Sequence, residues 1–307
     1  MNALDPAGPA AHTIAGMAWS LFIGSSLIFA GVMALLAFAL RARAVQVRPA
    51  WWIVGGGLVF PFVVLSVLMA YTAVRSNQLM RTPPPGALVV GVTAKMWWWE
   101  VRYRGPEGQE VVLANELRIP VGRPVLLGLS STDVIHSFWV PELGGKMDMV
   151  PGRTNQLQLA ANRPGVFRGQ CAEYCGEQHA RMALHVVALE PGEFDRWLAA
   201  QARPAAPPTA PPANTLAERG KQVFMDNRCS ACHTVRGVAE EGRLGPDLTH
   251  VGSRLYLGAG VLRNQPGALA GWVAHTQQHK PGARMPSFTH INAASLEALA
   301  AWLEQLK

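Results

Sequence analysis

A chain of 307 residues that is 50% hydrophobic and 15% charged is long enough for two or more domains and too apolar to be disordered. Its net charge of +7 divides as +2 over residues 1–74 (3 basic, 1 acidic), +2 over 75–213 (14 basic, 12 acidic) and +3 over 214–307 (10 basic, 7 acidic). No segment carries the clustered Lys and Arg of a nucleic-acid footprint, and four cysteines are too few for a disulfide scaffold.

No acidic residue occurs between Asp5 and Glu100, and two long apolar runs fill most of that stretch, at residues 14–40 and 51–74. Each exceeds the roughly 20 residues that a helix needs to cross the hydrocarbon core of a bilayer. The first is too long for a signal peptide and lacks a basic leading segment. Residues 1–82 therefore read as a two-helix membrane anchor. The loop at 41–50 holds Arg41, Arg43 and Arg48 and no acid, which places it in the cytoplasm and both termini on the opposite side. In a bacterium this is a multi-pass protein of the inner (cell) membrane, its bulk on the periplasmic or extracellular side.

Beyond prolines 83–85 the pattern changes to short runs rich in Val, Leu and aromatics, punctuated by Gly and Pro. Strands are predicted at 87–93, 97–103, 110–114, 116–120, 124–130, 137–140, 154–159, 165–170 and 183–189, suggesting an antiparallel sandwich or barrel over residues 83–202. A helix at 193–202 closes it. Residues 203–213, RPAAPPTAPPA, form a semi-rigid linker; eleven residues at about 3.1 Å each reach roughly 34 Å, enough for the next domain to touch this one and release it. Residues 214–307 read as a small helical domain with helices at 216–227, 268–278 and 294–305.

The first cysteine pair lies in CAEYCGEQHARM, giving Cys171, Cys175, His179 and Met182; His136 and Asp133 lie upstream in DVIHSFWVPELGGKMD. Two thiols, imidazoles and a thioether make a soft donor set suited to copper. Zinc and a Cys171–Cys175 disulfide are the alternatives, and neither uses a thioether. The second pair, CSACH, places Cys229 and Cys232 before His233, the attachment pattern of c-type haem, although zinc and redox CxxC sites share it. One methionine follows, Met285 in GARMPSF; His250, His275, His279 and His290 are rival sixth ligands.

The stretch from His136 through Met182, the run Trp97-Trp98-Trp99 and the preceding helix hairpin together resemble subunit II of haem–copper cytochrome oxidases, over residues 14–200. The C-terminal part resembles class I cytochromes c. The resemblance implies a multidomain chain: a transmembrane hairpin, an all-β cupredoxin-like Greek-key barrel and an all-α cytochrome c domain. It implies dinuclear copper A bridged by Cys171 and Cys175, with His136 and Met182 on one side and His179 on the other, and the backbone carbonyl of Glu173 as a further ligand. The Glu173 side chain is implied to help hold a magnesium or manganese ion shared with the catalytic subunit. Trp97 matches the aromatic through which electrons come in from a donor.

Covalent haem c on Cys229 and Cys232, ligated by His233 and Met285, follows from the second resemblance. The implied partners are haem–copper subunit I, further membrane subunits, the lipid bilayer and a cytochrome c or similar donor, with no nucleic acid. The implied activity is electron transfer to the subunit that reduces dioxygen, coupled to proton translocation; a nitric oxide reductase subunit or a free-standing membrane-anchored carrier is the alternative. One departure stands out. The family often has an acid just before the second helix, where this chain reads VQVRPAWW, so that proton-uptake role is not carried over.

Overall fold

The computed structural model describes residues 2–41, 48–79, 86–205 and 215–307; Arg43, prolines 83–85 and linker residues 206–213 lie outside them. The chain forms two units, Ala10–Thr82 and a second that joins Met1–Pro9 to Pro83–Lys307.

The first unit holds α1 (Pro9–Arg41) and a wide-wound π-helical segment, Trp51–Val59, running on into α2 (Phe60–Leu79). At the junction the Phe60 amide reaches back five residues to the Gly55 carbonyl. Both helices are long and apolar enough to cross a membrane, and they turn Phe22, Leu27, Phe29, Ile53, Phe62 and Met69 outward. Apolar surface on this scale is stable against lipid and not against water. The Ser20 and Tyr71 hydroxyls, 3.1 Å apart, pair the two helices.

The β domain has ten strands in two five-stranded sheets. One has the order β3 (Glu110–Ala114), β2 (Trp98–Arg104), β1 (Leu88–Lys95), β5 (Val125–Ser131), β8 (Asn155–Leu159). The other runs β4 (Glu116–Pro120), β10 (Ala183–Leu189), β9 (Gly165–Cys171), β6 (His136–Trp139), β7 (Met147–Met149). Alternation explains the layers: Val90, Val92 and Ala94 of β1 and Val125, Leu127 and Leu129 of β5 face inward and are fully buried. Trp99, Phe138 and Phe167 fill the interior. Two pairings are parallel, β1 with β5 and β4 with β10, where an antiparallel sandwich was expected; the chain crosses between the sheets before returning beside its earlier strand. The unexpected β7 is a three-residue strand with no apolar alternation to announce it. Helix α3 (Pro191–Gln201) closes the domain.

In the C-terminal domain α4 (Leu216–Asp226) crosses α7 (Ala293–Gln305), with Phe224 against Trp302 at 5.0 Å. Both helices are N-capped: Thr215 Oγ1 accepts the Glu218 amide and Asn292 Oδ1 the Ser295 amide. Between them lie a small hairpin, β11 (Tyr256–Leu257) with β12 (Leu262–Arg263), and the expected 268–278 helix, broken at His275 into α5 (Ala268–Ala274) and α6 (Thr276–His279). At the helix crossing Gly220 lets α4 lie directly on the Ala298 carbonyl and the Trp302 Cβ. Gly220→Ala puts a methyl into that contact and should destabilise the helical domain by about 1–3 kcal/mol, read as a lowered melting transition of that domain.

Candidate metal and haem centre

The thiols of Cys171, at the end of β9, and Cys175 sit 3.7 Å apart and are free and buried. His136 Nδ1 is 3.8 Å and the Glu173 carbonyl 3.1 Å from the Cys171 sulfur; His179 Nδ1 is 3.7 Å and Met182 Sδ 3.8 Å from the Cys175 sulfur. The loop is anchored by the Cys171 amide on the Met182 carbonyl and the Ala172 amide on the Ser137 carbonyl. An ion with ligand bonds of about 2.0–2.3 Å sets tetrahedral donor–donor edges of roughly 3.3–3.8 Å. These donors therefore fit a thiolate-bound metal, and a fully buried thioether beside them favours a soft one. The site brings all six sequence-selected residues together.

The sulfurs cannot ionise equally. The hydrogen bond between them pushes the Cys171 thiol far down, against burial, and His136 assists; the same bond, burial and the neighbouring thiolate push Cys175 up. Asp133, which the sequence alone could not tell from a surface acid, supports the site from behind. Burial opposes its ionisation, but His136 and the amides of Met96 and Val134 outweigh that and hold its pKa low. An ionised Asp133 only accepts, so His136 Nε2–H donates to it at 2.8 Å and Nδ1 keeps its lone pair for the metal. For His136 too, burial is outweighed, by Cys171 and Asp133, and its pKa is raised. The Glu173 carboxylate is exposed and lies 3.6 Å from Lys146, which also faces Asp148 at 3.9 Å.

The helical domain encloses a cavity of about 390 Å³ that Cys229, Cys232, His233 and Met285 line. None of His250, His275, His279 and His290 lines it. His250 instead donates to the Arg203 carbonyl, and His279 stacks on Trp272. His233 Nδ1–H donates to the Pro246 carbonyl at 2.7 Å, leaving Nε2 as the free ligand atom, and burial keeps its pKa low. Arg254 also lines the cavity, partly buried; its Nη2 donates to the Asp247 carbonyl, while its buried Nε lacks a partner. An unpaired guanidinium donor beside an apolar cavity fits a flat apolar group that carries carboxylates, as haem does. Sequence reasoning missed Arg254, since no motif marks it.

The cavity is also lined by Trp97 and Trp98 of the β domain. Trp97 lies in the turn before β2 and donates its indole N–H to the Cys175 carbonyl at 2.8 Å. Gly176, at φ +109°, is left-handed, and a side chain there would press on the Trp97 indole. The linker reading expected a domain that visits and leaves; the structure shows a built seam instead. The Ala183 amide meets the Ala259 carbonyl at 2.9 Å, Leu255 N–H meets Glu116 at 3.0 Å, and Arg181 donates to the His279 carbonyl at 2.8 Å. Lys280, whose pKa burial pushes down to about 7, donates to the Trp97 and Arg181 carbonyls.

The family model for the periplasmic domain of cytochrome c oxidase subunit II matches residues 104–189, and that for cytochrome c matches residues 217–307. A cytochrome c oxidase subunit 2 of Alkalihalophilus pseudofirmus is 38% identical over 254 residues, covering 81% of this chain and 71% of its own. The chain belongs to the cytochrome c oxidase subunit II family. A subunit 2 from Bacillus sp. (strain PS3) is 30% identical over 266 residues, covering 81% and 72%. The solved periplasmic domain of subunit II from Bradyrhizobium japonicum is 30% identical, with a TM-score of 0.37, over 39% of this chain and 96% of that one. This subunit II thus joins two apolar N-terminal helices, a cupredoxin-like domain and a C-terminal cytochrome c domain.

At the seam His185 stacks on Tyr256, ring centroids 4.0 Å apart and nearly parallel. Burial, then the Arg168 charge, push its pKa to about 4 from 6.5, with Glu116 opposing. A depressed folded pKa stabilises the fold above pH 6.5 and loses that contribution as the pH falls toward 4. His185→Phe keeps the stack and removes the titration. Thermal melting from pH 7 to pH 4 should fall less steeply in the variant than in the parent chain.

Proposed function

We propose that this chain is the subunit of a proton-translocating cytochrome c oxidase that takes electrons from an external donor, such as a cytochrome c, and delivers them to catalytic subunit I. When bound, covalent haem c and a dinuclear copper A centre would supply the one-electron carriers for that passage. Cys171, Cys175, His136, His179, Met182 and the Glu173 carbonyl would hold the coppers. Cys229 and Cys232 would hold the haem covalently, and His233 and Met285 would hold its iron. The Glu173 carboxylate, turned outward to Lys146, is available for a magnesium or manganese ion shared with subunit I and the other membrane subunits.

The observation that carries this reading is Trp97, one side chain that lines the haem cavity and bonds the carbonyl of a copper-ligand candidate. It argues for passage between the two centres, with Trp97 at the contact. The chain's residues do no proton chemistry in this scheme; they hold the metals, fix the His136 and His233 tautomers and keep water out. The N-terminal segment, in one unit with the β domain, supports a hairpin with both ends on the periplasmic side.

Metal analysis should give about two copper atoms and one iron per chain, and Cys175→Ser should abolish the copper optical signal while sparing the haem spectrum. Stoichiometric zinc without copper refutes the assignment. Trp97→Phe should slow flash-induced haem-to-copper transfer by about 10–100-fold with both spectra retained. Dioxygen uptake by the complex that co-purifies with the tagged chain tests the overall reading; nitric oxide reduction without dioxygen uptake would overturn it.

A further inference from the structure

Lys280 follows α6, five residues before Met285, and is 4% exposed. Its Nζ donates to three backbone carbonyls: Trp97 at 2.6 Å, Arg181 at 2.9 Å and Gly258 at 2.9 Å. An ammonium has three donors and no acceptor, so each hydrogen meets one oxygen. Two of these oxygens belong to the β domain, one beside the indole that lines the haem cavity and one between His179 and Met182. The third belongs to the helical domain's own small hairpin.

A buried ammonium is costly unless all its donors are paired. Only the seated arrangement of the two domains offers Lys280 all three partners. The oxygens are main-chain atoms, so no single β-domain side chain provides the contact. We propose that Lys280 is the positioning residue that seats the haem cavity over Trp97 and the loop carrying His179 and Met182. The adjacent bond from Arg181 to the His279 carbonyl ties the same two loops a second time. What the seat serves rests on the functional reading above; the seat itself is a property of this chain's packing.

Lys280→Met keeps the length of the side chain and removes its charge and all three donors. Lys280→Gln keeps two donors without the charge. The full chain, loaded with its cofactors, is compared with both variants at about pH 6, where Lys280 is protonated. Amide hydrogen exchange at residues 96–98, 181–183 and 256–260 should accelerate at least about tenfold in the Met variant, equivalent to about 1.4 kcal/mol of seating free energy. Flash-induced haem-to-copper transfer should slow, while the haem and copper spectra stay unchanged. The Gln variant should fall between the parent and the Met variant, and its exchange decides the matter if the Met variant fails to load. Exchange and transfer rates equal to those of the parent chain would overturn the proposal. Absence of any transfer in the parent chain would instead count against the functional reading, and exchange would still decide the role of Lys280.

Discussion

Two thiols held 3.7 Å apart without a disulfide between them are the constraint around which this chain is arranged. They are four residues apart, too close in sequence for the loop alone to fix them, so the barrel fixes them. The Cys171 amide is locked to Met182, Ala172 to Ser137, and His136 to Asp133, all on the strands of one sheet and the turns beside it. Behind them Trp99 and Phe138 fill the interior with edge-to-face contacts, and Trp99 reaches the His136 ring in the same way. A donor set anchored on packed strands shifts little when its charge changes, the requirement for a centre that must gain and lose electrons without rearranging.

The second domain is organised by the first. Its cavity is walled partly by its own helices and partly by Trp97, Trp98 and Asn115 of the β domain. The seam uses main-chain partners, a ring stack and one buried ammonium. It is held by short-range complementarity, and the net charges of the two regions, both positive, offer no long-range attraction.

The elements were legible where local pattern determines them. Strands β3, β4 and β10 fall on the predicted residues because alternation and flanking turns mark both ends. The cysteines, histidines and methionines that the structure gathers into the two clusters were marked by motif spacing and by family resemblance. Strand β7 was not, because three residues carry no periodicity. The parallel pairings were not, because register between distant strands leaves no local trace. Arg254 and Lys280 were the hardest: no motif marks either, and Lys280 meets carbonyls 183, 99 and 22 positions away, atoms that every residue possesses. Asp133 was visible but undecided, because only the fold shows it behind His136.

The first residues of the chain lie against the β domain, beyond the helices that separate them from it in sequence. The Ala7 amide bonds the Glu142 carbonyl, its carbonyl takes the Asn162 amide, and Ala7 is buried in the core. A soluble fragment started after the second helix would lack this strap. It would leave the Glu142 and Asn162 backbone groups without these partners and open a gap in the core. The core of the β domain therefore depends on residues that precede both apolar helices in the chain.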